Sequence, residues 1–124
     1  MQPDTMFSED LFKQIYAAFN RREIETLLAF MQPDVEWANG MEGGFVYGRD
    51  AVRQYWTNQF TLIRSQVEPL KVEHLDDGRQ MLTVHQVVND LQGNLLKEQT
   101  VQHIYTIEHG LVRRFEIGVP APPA

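Results

Sequence analysis

The sequence predicts one α+β domain, and three observations carry that prediction. Apolar residues recur at helical spacing as far as Ile63. From Val67 onward the pattern becomes that of strands. The strand-rich half is divided by the turn dipeptides Asp77-Gly78, Gly93-Asn94 and His109-Gly110, so it reads as an antiparallel meander. Helices first and strands after, without alternation, separates α+β from α/β. At 124 residues, with 43% hydrophobic and 23% charged, the chain has the size and apolar content of one domain with a core. The expected division is an N-terminal tail over 1–7, the domain over 8–119 and a proline-rich tail over 120–124.

Ser8 is placed to cap a first helix, because Glu9 and Asp10 follow where the helix dipole favours acid and Phe7 and Phe12 have staple spacing. Leu11, Phe12, Ile15, Tyr16 and Phe19 form its apolar face, and Asn20 ends it. Ile24, Leu27, Leu28 and Met31 repeat in a second, shorter helix that Pro33 stops, since the residue before a proline is pushed out of the α region. Val35-Glu36-Trp37 reads as a brief strand. The loop after it carries Gly40, Gly43, Gly44 and Gly48 with no Gly-Lys-Ser/Thr, which suits a pocket rim better than a phosphate loop. A third helix runs from Arg49 to about Ile63, with Val52, Tyr55, Trp56, Phe60 and Ile63 on one side. Strands follow near 67–75, 80–91, 95–108 and 111–119, and Pro120 to Ala124 cannot join a ladder.

If each joint is a two-residue turn, pairing follows by arithmetic and opposed residues share a face. One face then collects Leu70, Val72, Met81, His85, Val87, Asn89, Glu98, Thr100, Gln102, Ile104, Phe115 and Ile117. Its apolar floor broken by a few polar groups has the make-up of a ligand pocket. The opposite face collects Val84, Gln86, Val88, Gln99, Val101, His103, Tyr105, Arg114 and Glu116, a mixture suited to a subunit interface. There His103 opposes Glu116, a pairing that raises an imidazole pKa. A single bulge would swap these sets beyond it.

The net charge of -6, from 11 Lys+Arg against 17 Asp+Glu, leaves no basic footprint for nucleic acid. With no cysteine, thiolate chemistry, disulfides and cysteine-ligated metals are excluded. His74, His85, His103 and His109 lack compact metal-ligand spacing, so neither a metal nor another cofactor is expected. No apolar run approaches the roughly 20 residues that span a bilayer, and Met1 to Ser8 lacks the make-up of a signal peptide, so the expectation is a cytoplasmic protein without membrane partners.

Several segments, taken in order, resemble one family: Ala17-Ala18-Phe19-Asn20, Asp34-Val35-Glu36-Trp37, Tyr47-Gly48-Arg49-Asp50-Ala51-Val52, His103-Ile104-Tyr105-Thr106-Ile107 and Gly110-Leu111-Val112-Arg113-Arg114-Phe115. Over about residues 10–118 the chain resembles the SnoaL-like branch of the nuclear transport factor 2-like (NTF2-like) superfamily. The resemblance implies a cone: a strongly curved mixed or antiparallel sheet wrapped around three N-terminal helices, open at one end, with many members pairing back to back through the sheet. The superfamily includes isomerases, dehydratases, polyketide cyclases, epoxide hydrolases and proteins without chemistry, so no single reaction is implied. In ketosteroid isomerases the proton-moving carboxylate lies where this chain has Ala38. Their buried acid that bonds the enolate matches Gln102, and their helix-one tyrosine falls near Ile15, beside Tyr16. These departures argue against steroid isomerisation.

The expected function is binding of a small hydrophobic or aromatic molecule in the cone, with two readings open. In the enzyme reading His85 is the general base, Gln102 a carbonyl or oxyanion donor and Tyr55 an orienting hydroxyl, as in an isomerase, cyclase or dehydratase. In the other, the domain is a non-catalytic ligand-binding or protein-interaction module. Tyr16, Trp37, Trp56, Val87, Asn89, Glu98, Thr100, Ile104, Phe115 and Ile117 are the expected pocket lining. A homodimer is expected through Val101, His103, Tyr105 and Glu116. Glu36, beside Trp37, is a further acid candidate, with an arginine partner as its bland alternative.

Overall fold

The structure, a computed structural model, describes residues 4–118, with side chains from residue 10 onward. Three helices, α1 (Asp4–Asn20), α2 (Ile24–Ala29) and α3 (Arg49–Phe60), pack on a six-stranded sheet. Its strands are β1 (Met31–Ala38), β2 (Phe45–Tyr47), β3 (Arg64–His74), β4 (Gln80–Asn89), β5 (Leu95–Glu108) and β6 (Leu111–Gly118). They lie in the order β2-β1-β6-β5-β4-β3. The β3 to β6 run is the expected meander, while β1 lies parallel to β6 and makes the sheet mixed.

Several boundaries move for local reasons. The first helix begins at Asp4, which puts Ser8 inside it and not at its cap. The Phe7–Phe12 staple and the 120–124 tail fall outside what is described. Met31 opens β1 instead of closing α2, and the Arg49 guanidinium, donating to the Met31 carbonyl, ties that strand to the start of α3. Pro33 sits within β1 in the stretch between Met31 and Glu36 where the register to β6 shifts, a place where its missing N–H costs no ladder bond. Phe45–Tyr47, expected as loop, pairs with Glu36–Ala38.

The core lies between the helices and the concave side of the sheet. Phe12, Ile15 and Tyr16 of α1, Leu27 and Leu28 of α2, and Val52 and Trp56 of α3 meet Trp37, Val67, Leu82, Val84, Val101, Tyr105 and Phe115 from the strands. Asn20 fastens α1 to β3: its Nδ2 donates to the Val67 carbonyl and its Oδ1 accepts from the Val67 N–H, each at 2.9 Å.

Register decides which side chains face that core. At the β5–β6 turn His109 and Gly110 both have positive φ, 55° and 79°, as a two-residue type I′ hairpin demands. Glu108 accordingly pairs with Leu111. A bulge between Thr106 and Ile107 then shifts the ladder by one, so Tyr105 pairs with Phe115, His103 with Ile117 and Ile104 with Glu116. At the β4–β5 joint the connection spans Asp90 to Asn94, where Asp90 Oδ1 accepts from the Gln92 and Asn94 N–H groups at 2.9 Å each. The wider loop and the irregularity between Val88 and Asn89 together move the register by two, pairing His85 with Thr100 and Gln102 with Thr83. Between β3 and β4, Leu70 sits in a second bulge, and Glu68 faces His85.

These shifts correct the predicted faces. The concave side carries Val84, Gln86, Val88, Gln99, Val101, His103 and Tyr105, the set assigned from sequence to a subunit interface. Phe115 and Ile117 join them, because the bulge moves β6 by one residue relative to β5. Val101, His103 and Tyr105 are only 4%, 8% and 2% exposed within one chain, so they have no surface left to offer a partner. Glu116, half-buried on the other side, is paired with Arg79 and Arg114.

Candidate functional site

A cavity of about 380 Å³ opens between the helices and the concave sheet. Its walls are aromatic because α3 presents Trp56 one turn after Val52 while β1 and β6 bring Trp37 and Phe115 side by side. Trp37 stacks on Phe115 at 4.1 Å between ring centres and meets Trp56 edge-on at 5.0 Å. Gly40 lies at the rim, where a Cβ would come within 3.3 Å of Ile117 and 3.5 Å of the Tyr55 hydroxyl. The absent side chain thus permits a close approach of loop to wall.

The polar groups stand in three places. On the sheet, Gln99 Nε2 donates to Gln86 Oε1 at 2.9 Å and Gln86 Nε2 donates to Ser65 Oγ at 3.1 Å, a ladder crossing β5, β4 and β3. On α3, Gln59 Nε2 donates to Tyr55 Oη at 3.2 Å, and the Gly40 N–H donates to the same oxygen at 3.0 Å. Deepest lies a chain of rings. Tyr105 Oη donates to Tyr16 Oη at 2.9 Å, and Tyr16 Oη lies 2.7 Å from His103 Nδ1.

That chain sets the protonation of the site. Since Tyr16 Oη already receives the Tyr105 proton, its own proton points to His103 Nδ1, and a neutral imidazole so bonded carries its hydrogen on Nε2. Burial lowers the His103 pKa to about 3, the opposite of the rise expected from a Glu116 partner that faces elsewhere. Burial likewise raises Tyr16 and Tyr105 well above the usual phenol range, with the neighbouring phenol adding to the rise at Tyr16. Tyr55 is raised too, mainly by burial. Among the described lining residues Lys97 is the one charged side chain, and none is a carboxylate.

The structure brings together Tyr16, Trp37, Tyr55, Trp56, Phe115 and Ile117 of the residues expected in the pocket. It places His85, Gln102, Val87, Glu98, Thr100 and Ile104 on the convex side, alternating with the residues that line the cavity. His85 Nε2 lies 2.7 Å from Glu98 Oε2 there, so the proposed base has an exposed carboxylate partner and no access to the cavity. Asn89 ends β4 at a register shift, outside the wall. Glu36 is ion-paired to Arg114. Ala38 and Ile15 both line the cavity, and the inward position beside Gln102 belongs to His103. Sequence reasoning missed Gln59, Ser65, Gln86, Gln99 and His103 as wall residues. The signal available was Val84, Val88, Val101 and Tyr105 on their face, a set more apolar than an exposed surface needs.

Among the described residues no group of three or more His, Cys, Asp or Glu is placed to hold a metal. No described helix is long and apolar enough to cross a membrane.

The profile of the SnoaL-like domain matches residues 12–115. No curated protein matches the chain. Among solved structures, TerC co-crystallized with polyporic acid is 25% identical, with 91% of each chain covered and a TM-score of 0.78. An NTF2-like protein of unknown function from Burkholderia pseudomallei is 24% identical, covering 91% of this chain and 90% of its own, with a TM-score of 0.78. A protein provisionally assigned as a polyketide cyclase, from Xanthomonas campestris pv. campestris, is 22% identical over 91% of this chain and 90% of its own, with a TM-score of 0.73.

Proposed function

The chain belongs to the SnoaL-like domain family, and from that premise we propose that its cone binds a small, flat, mainly apolar organic molecule. The observation that carries this reading is the cavity itself: about 380 Å³, within the usual ligand range, walled by Trp37, Trp56 and Phe115 and polar at only a few points. The polyporic acid co-crystallized with TerC supports a small organic ligand for this architecture. His103 is the group that orients it, as a neutral Nε2–H donor to a ligand carbonyl or other acceptor. Burial keeps that ring uncharged, and the Tyr105–Tyr16 chain fixes its tautomer.

A second reading, catalysis of the isomerase, cyclase or dehydratase type, is favoured by the same tautomer, since a neutral imidazole can polarise a carbonyl. In that reading His103, and not His85 or Gln102, stands beside the substrate, and Tyr55 keeps the orienting role. A homodimer through the sheet, if retained from the family resemblance, uses the convex side, where Met81, Val87 and Ile104 supply apolar area.

The test uses a property of the composition. The chain has 2 Trp, and both line the cavity, so intrinsic tryptophan emission reports on that space. Titration with flat aromatic ketones and phenols is expected to quench it saturably, and Val101→Phe, which narrows the cavity without adding an indole, to weaken binding. Linear quenching alone by every compound, unchanged on narrowing the cavity, would refute the ligand-binding reading.

A further inference from the structure

We propose that Gln59 is a specificity-determining residue of the cavity, selecting a ligand with a hydroxyl group that donates to Gln59 Oε1 and accepts from the Tyr55 hydroxyl. The inference rests on the ligand-binding reading above and adds the chemical class of the ligand.

Gln59 lines the cavity yet is only 8% exposed, and its Oε1 is a buried acceptor without a hydrogen-bond partner. Its other end is engaged, because Nε2 donates to Tyr55 Oη. Tyr55 Oη also accepts from the Gly40 N–H, so its acceptor capacity is used and its own proton is left over. Among the described residues nothing takes that proton. An unpaired acceptor, sealed from water, and an unpaired donor therefore belong to two bonded side chains of one wall, and a small turn of the Gln59 amide brings Oε1 to a bound hydroxyl.

An alcohol or phenol O–H is their complement, because it donates and accepts at a single oxygen. An ether accepts but cannot donate, and would leave Oε1 unsatisfied. Sites built to bond a hydroxyl discriminate strongly for this reason, since the analogue lacking it strands a buried polar group. The sheet amides are tied to one another and to Ser65, and the Gln99 Oε1 they leave over is open to water, so unlike Gln59 Oε1 it is not stranded when a ligand lacks a hydroxyl. With Trp37, Trp56 and Phe115 forming the rest of the surface, the ligand class is a hydroxylated aromatic.

Three probes of one shape test this: 2-naphthol, 2-methoxynaphthalene and naphthalene, titrated by ligand-detected NMR. The wild type is expected to bind 2-naphthol about five- to tenfold tighter than the methyl ether, the scale of one neutral hydrogen bond with its buried partner. Gln59→Leu should bring that ratio to about one while retaining naphthalene. Gln59→Met, close in length, reads the same ratio should the leucine variant fail to fold. Equal binding of phenol and ether by the wild type, or a preference that survives in both variants, overturns the assignment. Tighter binding of the ether overturns it as well, by showing that the amide presents its NH₂ end. If none of the three probes binds the wild type, the ligand-binding reading itself fails, and this inference with it.

Discussion

His103 couples the cavity to the stability of the fold, and the coupling has a sign that can be worked out. The unfolded imidazole titrates near 6.5, whereas burial lowers the folded value to about 3. Above pH 6.5 the ring is neutral in both states and exacts no penalty. As pH falls through 6.5 the unfolded chain takes up a proton that the folded chain refuses, so stability declines until the folded value is reached. At 1.36 kcal/mol per unit, the loss from pH 7.5 to pH 5 is about 2 kcal/mol, enough to show as a lower urea midpoint. The carboxylates with lowered values, Glu25, Asp34, Asp77 and Asp90, lose their contributions only as pH falls from the ordinary carboxylate range, so they act below this window. His103→Asn keeps an acceptor where Nδ1 stood but cannot titrate, and should flatten the profile between pH 7.5 and 5 by that same amount. Urea unfolding followed by far-ultraviolet circular dichroism at several pH values is the assay. Parallel profiles for wild type and variant would show that His103 is not buried neutral, and would remove the orientation assigned to it.

Three further outcomes follow from particular contacts. Tyr16→Phe strips partners from both His103 Nδ1 and the Tyr105 hydroxyl, so a cost of roughly 2–4 kcal/mol is expected in the same unfolding experiment; a cost near zero would deny the chain of rings. Asn20→Ala removes both bonds that pin the Val67 backbone, at about 1–3 kcal/mol, with faster amide exchange at Val67 as the local signature. Substitution on alternate residues of β5 checks the faces: Val101→Glu should destabilise by several kcal/mol by burying an unpaired carboxylate, whereas Ile104→Glu should fold and bind ligand normally. Light scattering on the Ile104 variant also reports whether copies pair through the convex side.

The elements were legible because each has a local cause. Trp56 and Val52 mark α3 by spacing alone, and His109-Gly110 marks the last hairpin by its need for positive φ. What could not be read was register across the sheet. A bulge at Thr106–Ile107 has no glycine or proline to announce it, yet it carries Phe115 from the side of Ile104 to the side of Tyr105. With Phe115 and Ile117 on the side of His85 and Gln102, that face has the make-up of a pocket, and every residue on β4 and β5 follows it. Pocket residues on helices or on β1 escaped the error. Tyr16, Tyr55, Trp56 and Trp37 owe their placement to helical period or to the first strand, neither of which depends on that bulge.

The bulge that hid the site is also what makes it. Without the one-residue shift, Phe115 would point to the convex side and Trp37 would lose its stacking partner, while His103 would face Glu116 across the ladder. Glu116 instead turns outward to Arg79 and Arg114, and Glu36 to Arg114, so acid groups of β1 and β6 are neutralised on the outside. The inside is left with amides, phenols, indoles, one uncharged imidazole and a single charge, that of Lys97. Such a wall has little fixed charge to stabilise an ion, and it recognises by hydrogen-bond direction and aromatic contact. Its selectivity must then rest on which few groups are unpaired, which is why the free end of one buried amide carries more weight here than the charge of the whole chain.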